Sequence, residues 1–554
     1  MSGVFEQLLR VRHFDEAFLS PKYEDCLDPF LLPDMEEAVA RIKLAVERGE
    51  KVLIYGDYDV DGVTASTVMY DTLRLAGVKE VEIMLPNRFI DGYGMSHRVV
   101  ERVKEWEAGL VVTVDCGSRN HEVIGELGGM GVEVVVTDHH ECGWDSLASQ
   151  DDSSESMLDW ARTGSKPEAV AIVNPKREDM KCPAALRDLA GVGVAFKLAQ
   201  ALVQRKMIPA GQEKWLLDLV LIGTVCDSMV LLGENRRLCY YGMKVLEKTR
   251  RPGLKELLKM AGVRKLDTEA IGFQIGPRLN AAGRMETADL ALELLMTDKR
   301  TQAAKIVGNL EELNNQRKSQ QRAAILEIEE RGVGDLPVIV AEGKWHEGVL
   351  GIIAGRLVEE YKRPAFVVSE VEGKLKGSGR SFGEFNLAEA LTVCGEYIIG
   401  GGGHAAACGL ALEIGGTERF RQAVNEYYKS LDLKDQERFL GVEEDLVVEE
   451  FEELSLELMA EMRKLEPYGE GNLEPVFLLP EVRVIEAAKL GADGRHLRLT
   501  VWDRLGRSMK LMCFYAPEEY LRLQGGETIN AWITLGENEF RGIRSVEGRI
   551  VEIA

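Results

Sequence analysis

Asp57, Asp59 and Asp61 stand at alternating positions just after the apolar run 52–55, and Gly62 follows them. Carboxylates gathered at the end of a buried strand repel one another and call for a cation or a cluster of donors. Alone, such a stretch is equally an acidic, solvated turn. The chain repeats the arrangement, however. Val111-Val112-Thr113-Val114 runs into Asp115, and Val134-Val135-Val136-Thr137 runs into Asp138-His139-His140-Glu141. A fourth acid, Asp227, comes shortly after the mostly apolar run 216–222. Oxygen ligands with one or two imidazoles suit Mn²⁺ or Mg²⁺ better than structural zinc. Several carboxylates around two divalent ions roughly 3.5–4 Å apart fit hydrolysis of a phosphodiester.

The elements that position these residues read as a parallel α/β layer. Short apolar runs at 52–55, 81–85, 110–114, 132–137 and 169–173 alternate with helical segments. Such strands form a parallel sheet covered on both faces, with its ligand site beyond the carboxyl ends. Residues 143–167 interrupt the pattern and read as an exposed insertion. Helices dominate 187–248, and 298–331 reads as a long polar connecting helix. Strands at 337–341 and 365–369 flank a helix at 349–361, which predicts a smaller α/β domain. Residues 417–464 read as helices with an acidic surface. Strand signals at 475–479, 495–502, 508–513, 528–535 and 549–553 predict a small β-barrel.

At 554 residues the chain needs three or four domains. No apolar run is long enough to span a bilayer, which excludes a membrane role for the segments read here. The nine cysteines form no close pair, which fits a reducing cytoplasm. Formal charge is 68 − 92 = −24. That weighs against a nucleic-acid partner, yet it is unevenly spread. Residues 443–453 hold seven acids and no base, whereas 483–510 hold seven Lys/Arg against three acids.

The acidic motifs resemble the DHH phosphoesterases, a family that takes its name from the Asp138-His139-His140 pattern. Gly56-Asp57-Tyr58-Asp59-Val60-Asp61-Gly62, Pro86-Asn87-Arg88 through Asp91-Gly92-Tyr93-Gly94, Asp115-Cys116-Gly117, Thr137-Asp138-His139-His140-Glu141, Val173-Asn174-Pro175-Lys176 and Gly276-Pro277-Arg278-Leu279-Asn280-Ala281-Ala282-Gly283-Arg284-Met285 carry the likeness. It runs from about residue 34 to the C-terminus and is strongest to the bacterial branch that degrades single-stranded DNA from the 5′ end. The resemblance implies that Asp59, Asp61, Asp115, His139 and Asp227 ligate two metals, Asp115 bridging them. Mn²⁺ is the first choice and Mg²⁺ the second. His140 would contact the scissile phosphate or assist proton transfer, with Asp57 and Asp138 as nearby acids. Arg88, Arg278 and Asn280 would contact DNA phosphate. The plainer alternatives are an ion pair for Arg278 and a turn or cap for Asn280. Two departures stand out. The 143–167 insertion is longer than the family's, and Cys226-Asp227-Ser228-Met229 lacks the family's proline.

The glycine run Gly400-Gly401-Gly402-Gly403-His404 and the segment Gly377-Ser378-Gly379-Arg380-Ser381 resemble the DHH-associated domain. Glycines let backbone N–H groups approach phosphate, and a helix N-terminus would add its dipole. The resemblance assigns substrate contacts to Arg380, Ser381, Gly402, Gly403 and His404. Trp345 reads as packed and His346 as satisfying a helix start. The segment 465–477 resembles the opening of an OB-fold. Within it Arg498 and Trp502 fall on one face by alternation, suited to a single strand through phosphate contact and stacking. The alternative is Trp502 in the core.

The expected architecture is therefore α/β: a helical lead-in (1–50), a DHH phosphoesterase domain (51–298), a connecting helix (299–333), a DHH-associated domain (334–414), a helical linker (415–464) and an OB-fold β-barrel (465–554). The expected activity is a metal-dependent 5′→3′ exonuclease on single-stranded DNA. By resemblance it works beside a helicase and a single-strand-binding protein in DNA repair and recombination. A phosphodiesterase of short oligoribonucleotides or cyclic dinucleotides, and a catalytically silent repair scaffold, are the alternatives.

Overall fold

A computed structural model describes residues 3–92, 94–144, 165–431, 433, 441–491 and 494–554. The greater part of the 143–167 insertion lies outside the described residues. The chain divides into two compact units, residues 26–436 and residues 1–25 with 437–554. The lead-in is helical, but its two ends serve different units.

The larger unit begins with a five-stranded parallel sheet in the order β2-β1-β3-β4-β5. Its strands are β1 (Val52–Tyr55), β2 (Val81–Met84), β3 (Leu110–Val114), β4 (Glu133–Thr137) and β5 (Ala171–Val173). Every residue of β1, β3 and β5 is buried, which accounts for their uninterrupted apolar sequence. The order reverses between β1 and β3, and in open α/β sheets the ligand crevice opens at that switch point. The first and second acidic motifs leave the sheet there.

A second sheet runs β6-β7-β8-β10-β9. It comprises β6 (Ile339–Gly343), β7 (Ala365–Val371), β8 (Lys374–Arg380), β9 (Gly400–Gly403) and β10 (Ala407–Leu412). Only β6 and β7 are parallel; the rest pair antiparallel. The glycine run was expected as a phosphate loop at a helix start. It is instead the edge strand β9, hairpinned to β10, and no helix follows it. Helix Arg300–Arg331 joins the helices that follow the first sheet to the helix packed on the second. Its first half buries Ile306, Val307 and Leu310, and its second half places Ala324 and Ile328 against Ile339, Leu350 and Ile353. At 1.5 Å per residue its 32 residues extend about 48 Å.

The smaller unit is a closed barrel of β11 (Leu446–Val447), β12 (Phe477–Leu490), β13 (His496–Trp502), β14 (Ser508–Cys513), β15 (Thr528–Phe540) and β16 (Ile543–Ile553). β12 pairs with both β13 and β15, which closes it. Helix Gly3–Val11 plugs it with Val4, Phe5 and Leu8. The stretch 415–464 is not one helical linker. Helix Thr417–Ser430 packs Phe420 and Val424 against the second sheet. Residues 441–455 carry only the short strand β11 and a turn of 3-10 helix at Phe451–Glu453, and Val448, Phe451 and Leu454 lie in the barrel core. Their acids meet the barrel's basic turn: Arg504 pairs with Glu449 and Glu450, and Arg507 with Glu450 and Glu452.

Candidate metal centre and phosphate cleft

The acidic groups converge on the carboxyl rim of the first sheet. From Tyr55 the chain turns through Asp57 and Asp59 into helix Val60–Ala76. Asp59 caps that helix, accepting from the Gly62 N–H at 3.0 Å. Asp61, buried in the first turn, accepts from the backbone N–H groups of Gly191 (2.6 Å) and Val192 (2.9 Å). Those amides open helix Gly191–Gln204, so the positive end of a second helix holds Asp61. Asp115 leaves β3 with φ +60°, a left-handed conformation uncommon outside glycine. Its side chain is buried, and its Oδ1 has no hydrogen-bond partner. Asp57 Oδ1 is likewise buried and unpartnered. His139 Nε2 lies 3.1 Å from Asp115 Oδ1, 3.6 Å from Asp227 Oδ2 and 3.8 Å from Asp61 Oδ2. Asp227 stands at the C-terminal end of helix Leu217–Cys226, which places it against His139.

Burial and mutual repulsion raise four of these carboxyls above their usual range. For Asp57 the causes are burial and then Asp59; for Asp61 they are burial and then Asp59. For Asp115 and Asp227 they are burial and then the charges of Asp61 and Asp59. Asp138 behaves oppositely. It accepts from the N–H groups of His139 (2.7 Å), His140 (3.1 Å) and Ser118 (2.9 Å) and from His140 Nδ1 (2.9 Å). These bonds outweigh its burial and hold it well below the carboxylate range. Asp138 therefore fixes the His140 ring and the backbone of both histidines, and has little capacity left for a metal. Burial and the neighbouring His140 push His139 down to about 3, leaving it neutral. For His140, burial is outweighed by the hydrogen bond and charge of Asp138, and it is pushed up to about 9. One imidazole is thus neutral and its neighbour a cation.

Two groups with no member in common have ligand atoms within 4.8 Å of one another: Asp61, His139 and Asp227, and Asp57, Asp59 and Asp115. Asp115 also groups with His139 and His140. Unpartnered buried oxygens, mutually repelling carboxyls and a neutral imidazole are what a pair of hard divalent cations requires.

Beside the acids lies a cluster of arginines. Arg88 stacks over the Tyr58 ring at 4.3 Å. Arg284 is lowered to about 9 by burial and by the charges of Arg88, Arg380 and Arg317, while Asp59 acts on it in the other direction. Among the described residues, none of these four has a carboxylate within ion-pair distance. Gathered cations without a carboxylate in ion-pair contact suit an anion.

Arg278 is committed to Glu311 (2.6 and 3.3 Å) and to the Gln274 carbonyl (2.7 Å), the ion pair foreseen as the alternative. Asn280 stands mid-helix in Gly276–Met285 and caps nothing. Ser381 donates to the Phe385 carbonyl, and its N–H is bonded to Ala406. Ser378, two residues before Arg380 and on the same side of β8, is the hydroxyl that meets Arg380 Nη1, at 3.2 Å. Strand periodicity alone would have preferred it. Gly402 and Gly403 lie in β9, and His404 sits in the turn beyond, where the charges of Arg119, His140 and Lys176 reach it. In the other unit, Arg498 and Trp502 share the outer face of β13, with Trp502 43% exposed rather than in the core. Sequence reading missed Arg284, Arg317 and Ser378. Arg284 and Ser378 lay inside recognised motifs; Arg317, on the connecting helix, carried no local signal.

Family models match in three places: the DHH family N-terminal domain over residues 51–224, the DHHA1 domain over 335–430 and the RecJ OB domain over 446–552. The single-stranded-DNA-specific exonuclease RecJ of Salmonella typhimurium is 32% identical, over 93% of this chain and 89% of its own. The chain belongs to the RecJ family. RecJ of Bacillus subtilis is 36% identical over 95% of this chain, which spans 65% of that relative's length. Among solved structures, RecJ from Thermus thermophilus in complex with Mn²⁺ matches with a TM-score of 0.81 at 29% identity, covering 100% of this chain and 76% of that one. The same protein in complex with Mg²⁺ matches at 0.75 and 26%, covering 100% and 74%. The RecJ match accounts for the mixed α/β architecture with a terminal barrel.

Proposed function

We propose that this chain is a metal-dependent exonuclease that degrades single-stranded DNA from its 5′ end to 5′-mononucleotides. The observation that carries the reading is the juxtaposition of two three-residue cation sites with a cluster of unpaired arginines. The acidic site suits phosphodiester hydrolysis; the arginines suit a strand's phosphates. Asp59, Asp61, Asp115, His139 and Asp227 would hold two divalent cations, Mn²⁺ or Mg²⁺, with Asp57 beside them. Bound there, the cations would supply the charge that makes water nucleophilic and stabilises the leaving oxygen. Asp115, which groups with Asp57 and Asp59 and also with His139 and His140, would be available to both cations.

The chain's own residues do the rest. Asp138 fixes the His140 imidazole and the backbone of both histidines. His140, kept protonated by Asp138, donates to a phosphate oxygen or to the departing alkoxide. Arg88, Arg284, Arg317 and Arg380 hold phosphates and set the strand's register. Arg498 and Trp502 in the barrel unit offer a phosphate contact and a stacking face for the same kind of strand.

A helicase that opens duplex and a single-strand-binding protein would supply the substrate in repair and recombination. All nine cysteines are unpaired, and no helix among the described residues is long and apolar enough to cross a membrane; both accord with work on DNA in the cytoplasm. The deciding assay is manganese-dependent digestion of single strands labelled at either end, with duplex and dinucleotide controls. Label release from the 5′ end of single strands alone is expected. Full activity in Asp115→Ala would overturn the assignment.

A further inference from the structure

Away from the metal centre the larger unit holds an open cavity of about 500 Å³. Two helices that serve the acidic rim reach this cavity with their other ends. Helix Val60–Ala76, about 26 Å long over its 17 residues, carries Asp61 in its first turn and lines the cavity with Leu75 near its last. Helix Leu217–Cys226 lines it with Asp218 near its start and leads to Asp227 at its end. The cavity therefore shares no residue with the metal site or with the arginine cluster.

Its charged groups fall into two sets. Asp71 and Asp218 are taken up by Arg251, which donates to Asp71 Oδ2 at 2.6 Å and lies 3.6 Å from Asp218 Oδ1. Thr249 also donates to Asp218 Oδ2, at 2.6 Å. Arg250 and Asp298 make up the second set. Among the described residues the side chain of neither has an ion pair or a hydrogen bond, although both line the cavity. Arg250 Cζ stands 3.4 Å from the centre of the Trp215 ring, so the indole fixes the guanidinium while its N–H donors stay unspent. Between these charges lie apolar side chains that remain partly in water: Leu75 is 39% exposed and Met296 36%.

We infer that this cavity binds a nucleoside 5′-monophosphate, with the phosphate on Arg250, the base against Leu75 and Met296, and Asp298 accepting from an amino group of the base. The choice of ligand rests on the exonuclease reading, which makes such nucleotides the chain's own product. A guanidinium held in place loses little freedom when it takes a phosphate, and its fork of donors matches the phosphate oxygens. The volume lies within the range of small-molecule sites, about 300–1,000 Å³, and is more than an inorganic phosphate fills. An unpaired carboxylate beside an apolar wall has use for a flat ligand with N–H groups on its edge. Adenine, cytosine and guanine carry such an amino group, and thymine does not.

The test is calorimetric titration of 5′-dAMP into the full chain in chelator, with an oligothymidylate in excess to fill the phosphate cleft. Saturable binding of 5′-dAMP is expected. 5′-dTMP, deoxyadenosine and inorganic phosphate should each bind at least about tenfold more weakly. Arg250→Gln should weaken 5′-dAMP by about tenfold or more. Asp298→Ala should remove most of the preference for 5′-dAMP over 5′-dTMP. The inference is overturned if 5′-dAMP does not bind, if phosphate or deoxyadenosine binds as well, or if excess oligothymidylate displaces it. It is equally overturned if either variant behaves as the unaltered chain does. Arg250 and Asp298 are both exposed; should Arg250→Gln nevertheless fail to fold, Asp298→Ala decides alone. The end-label assay reads the exonuclease proposal separately. A chain that binds 5′-dAMP here but digests no strand would sink that proposal, and a chain that digests strands but binds no 5′-dAMP would sink this one.

Discussion

Asp61 Oδ2 lies 2.6 Å from the backbone nitrogen of Gly191, tying the helix that bears the first acidic motif to the start of a second helix. The same glycine faces Asp115 so closely that a Cβ would come within 2.6 Å of its Oδ1. Gly191→Ala should therefore displace Asp115 and loosen the Asp61 contacts together. We expect Mn²⁺ affinity to fall about 10- to 100-fold, as for other lost supporting contacts. Overpacking should cost roughly 1–3 kcal/mol of stability. Calorimetric Mn²⁺ titration and thermal unfolding measure the two effects, and unchanged affinity would contradict this account of Gly191.

Removal of Asp115, a proposed metal ligand, should have opposite effects in the metal-free and metal-loaded protein. The buried Asp115 carboxyl suffers from its own burial and from the charges around it. Asp115→Asn relieves that repulsion, so the variant should melt at a higher temperature than the unaltered chain in chelator. Added Mn²⁺ should then raise the melting temperature of the unaltered chain far more than that of the variant. Parallel melting curves with and without Mn²⁺ provide the check. A variant less stable in chelator would contradict the account.

Arg317 hydrogen-bonds Asn314 and Gln321 but no carboxylate, and burial lowers its affinity for its proton. Arg317→Gln should leave the melting temperature unchanged or higher. It should weaken single-strand binding and reduce the slope of log K against log salt by about 0.7, the effect of one lost phosphate contact. Arg317→Lys should retain most of the slope. Binding measured across a salt series separates these outcomes.

In the barrel unit, Glu449, Glu450 and Glu452 occupy Arg504 and Arg507 in largely exposed ion pairs. Such pairs contribute little to stability, about 0–1 kcal/mol each. Replacing all three glutamates with glutamine should therefore spare the fold while freeing two cations next to the exposed Trp502. Single-strand affinity should rise at low salt, with a slope steeper by about 0.7 for each arginine released. An unchanged slope would show that these arginines face no strand.

Much of the larger unit could be read from sequence because its first sheet is buried on both faces. Val52–Tyr55 and Leu110–Val114 are apolar throughout, and the residues following such strands must share one rim. That geometry alone brings Asp59, Asp61, Asp115 and His139 together. β8 and β10 were illegible for the opposite reason. Lys374–Arg380 contains two lysines and two glycines, residues with weak strand preference, and its strand state depends on pairing with β7 and β10. Arg317 was invisible because a polar helix face looks the same whether it meets water or a phosphate. The net charge misled in a similar way. The acids of 443–453 answer local arginines of the barrel and say little about the cleft.

Helix Arg300–Arg331 bears three fastenings: Glu311 holds Arg278, Arg317 joins the cation cluster, and Glu327 holds the indole of Trp345. These fastenings sit on an uninterrupted rod, so a residue count along it works as a ruler between the metal-bearing half and the His346 turn. One inserted residue between Glu311 and Glu327 would lengthen that ruler by about 1.5 Å and rotate its far end by about 100°. The aperture offered to a strand is in that sense written as a number of amino acids.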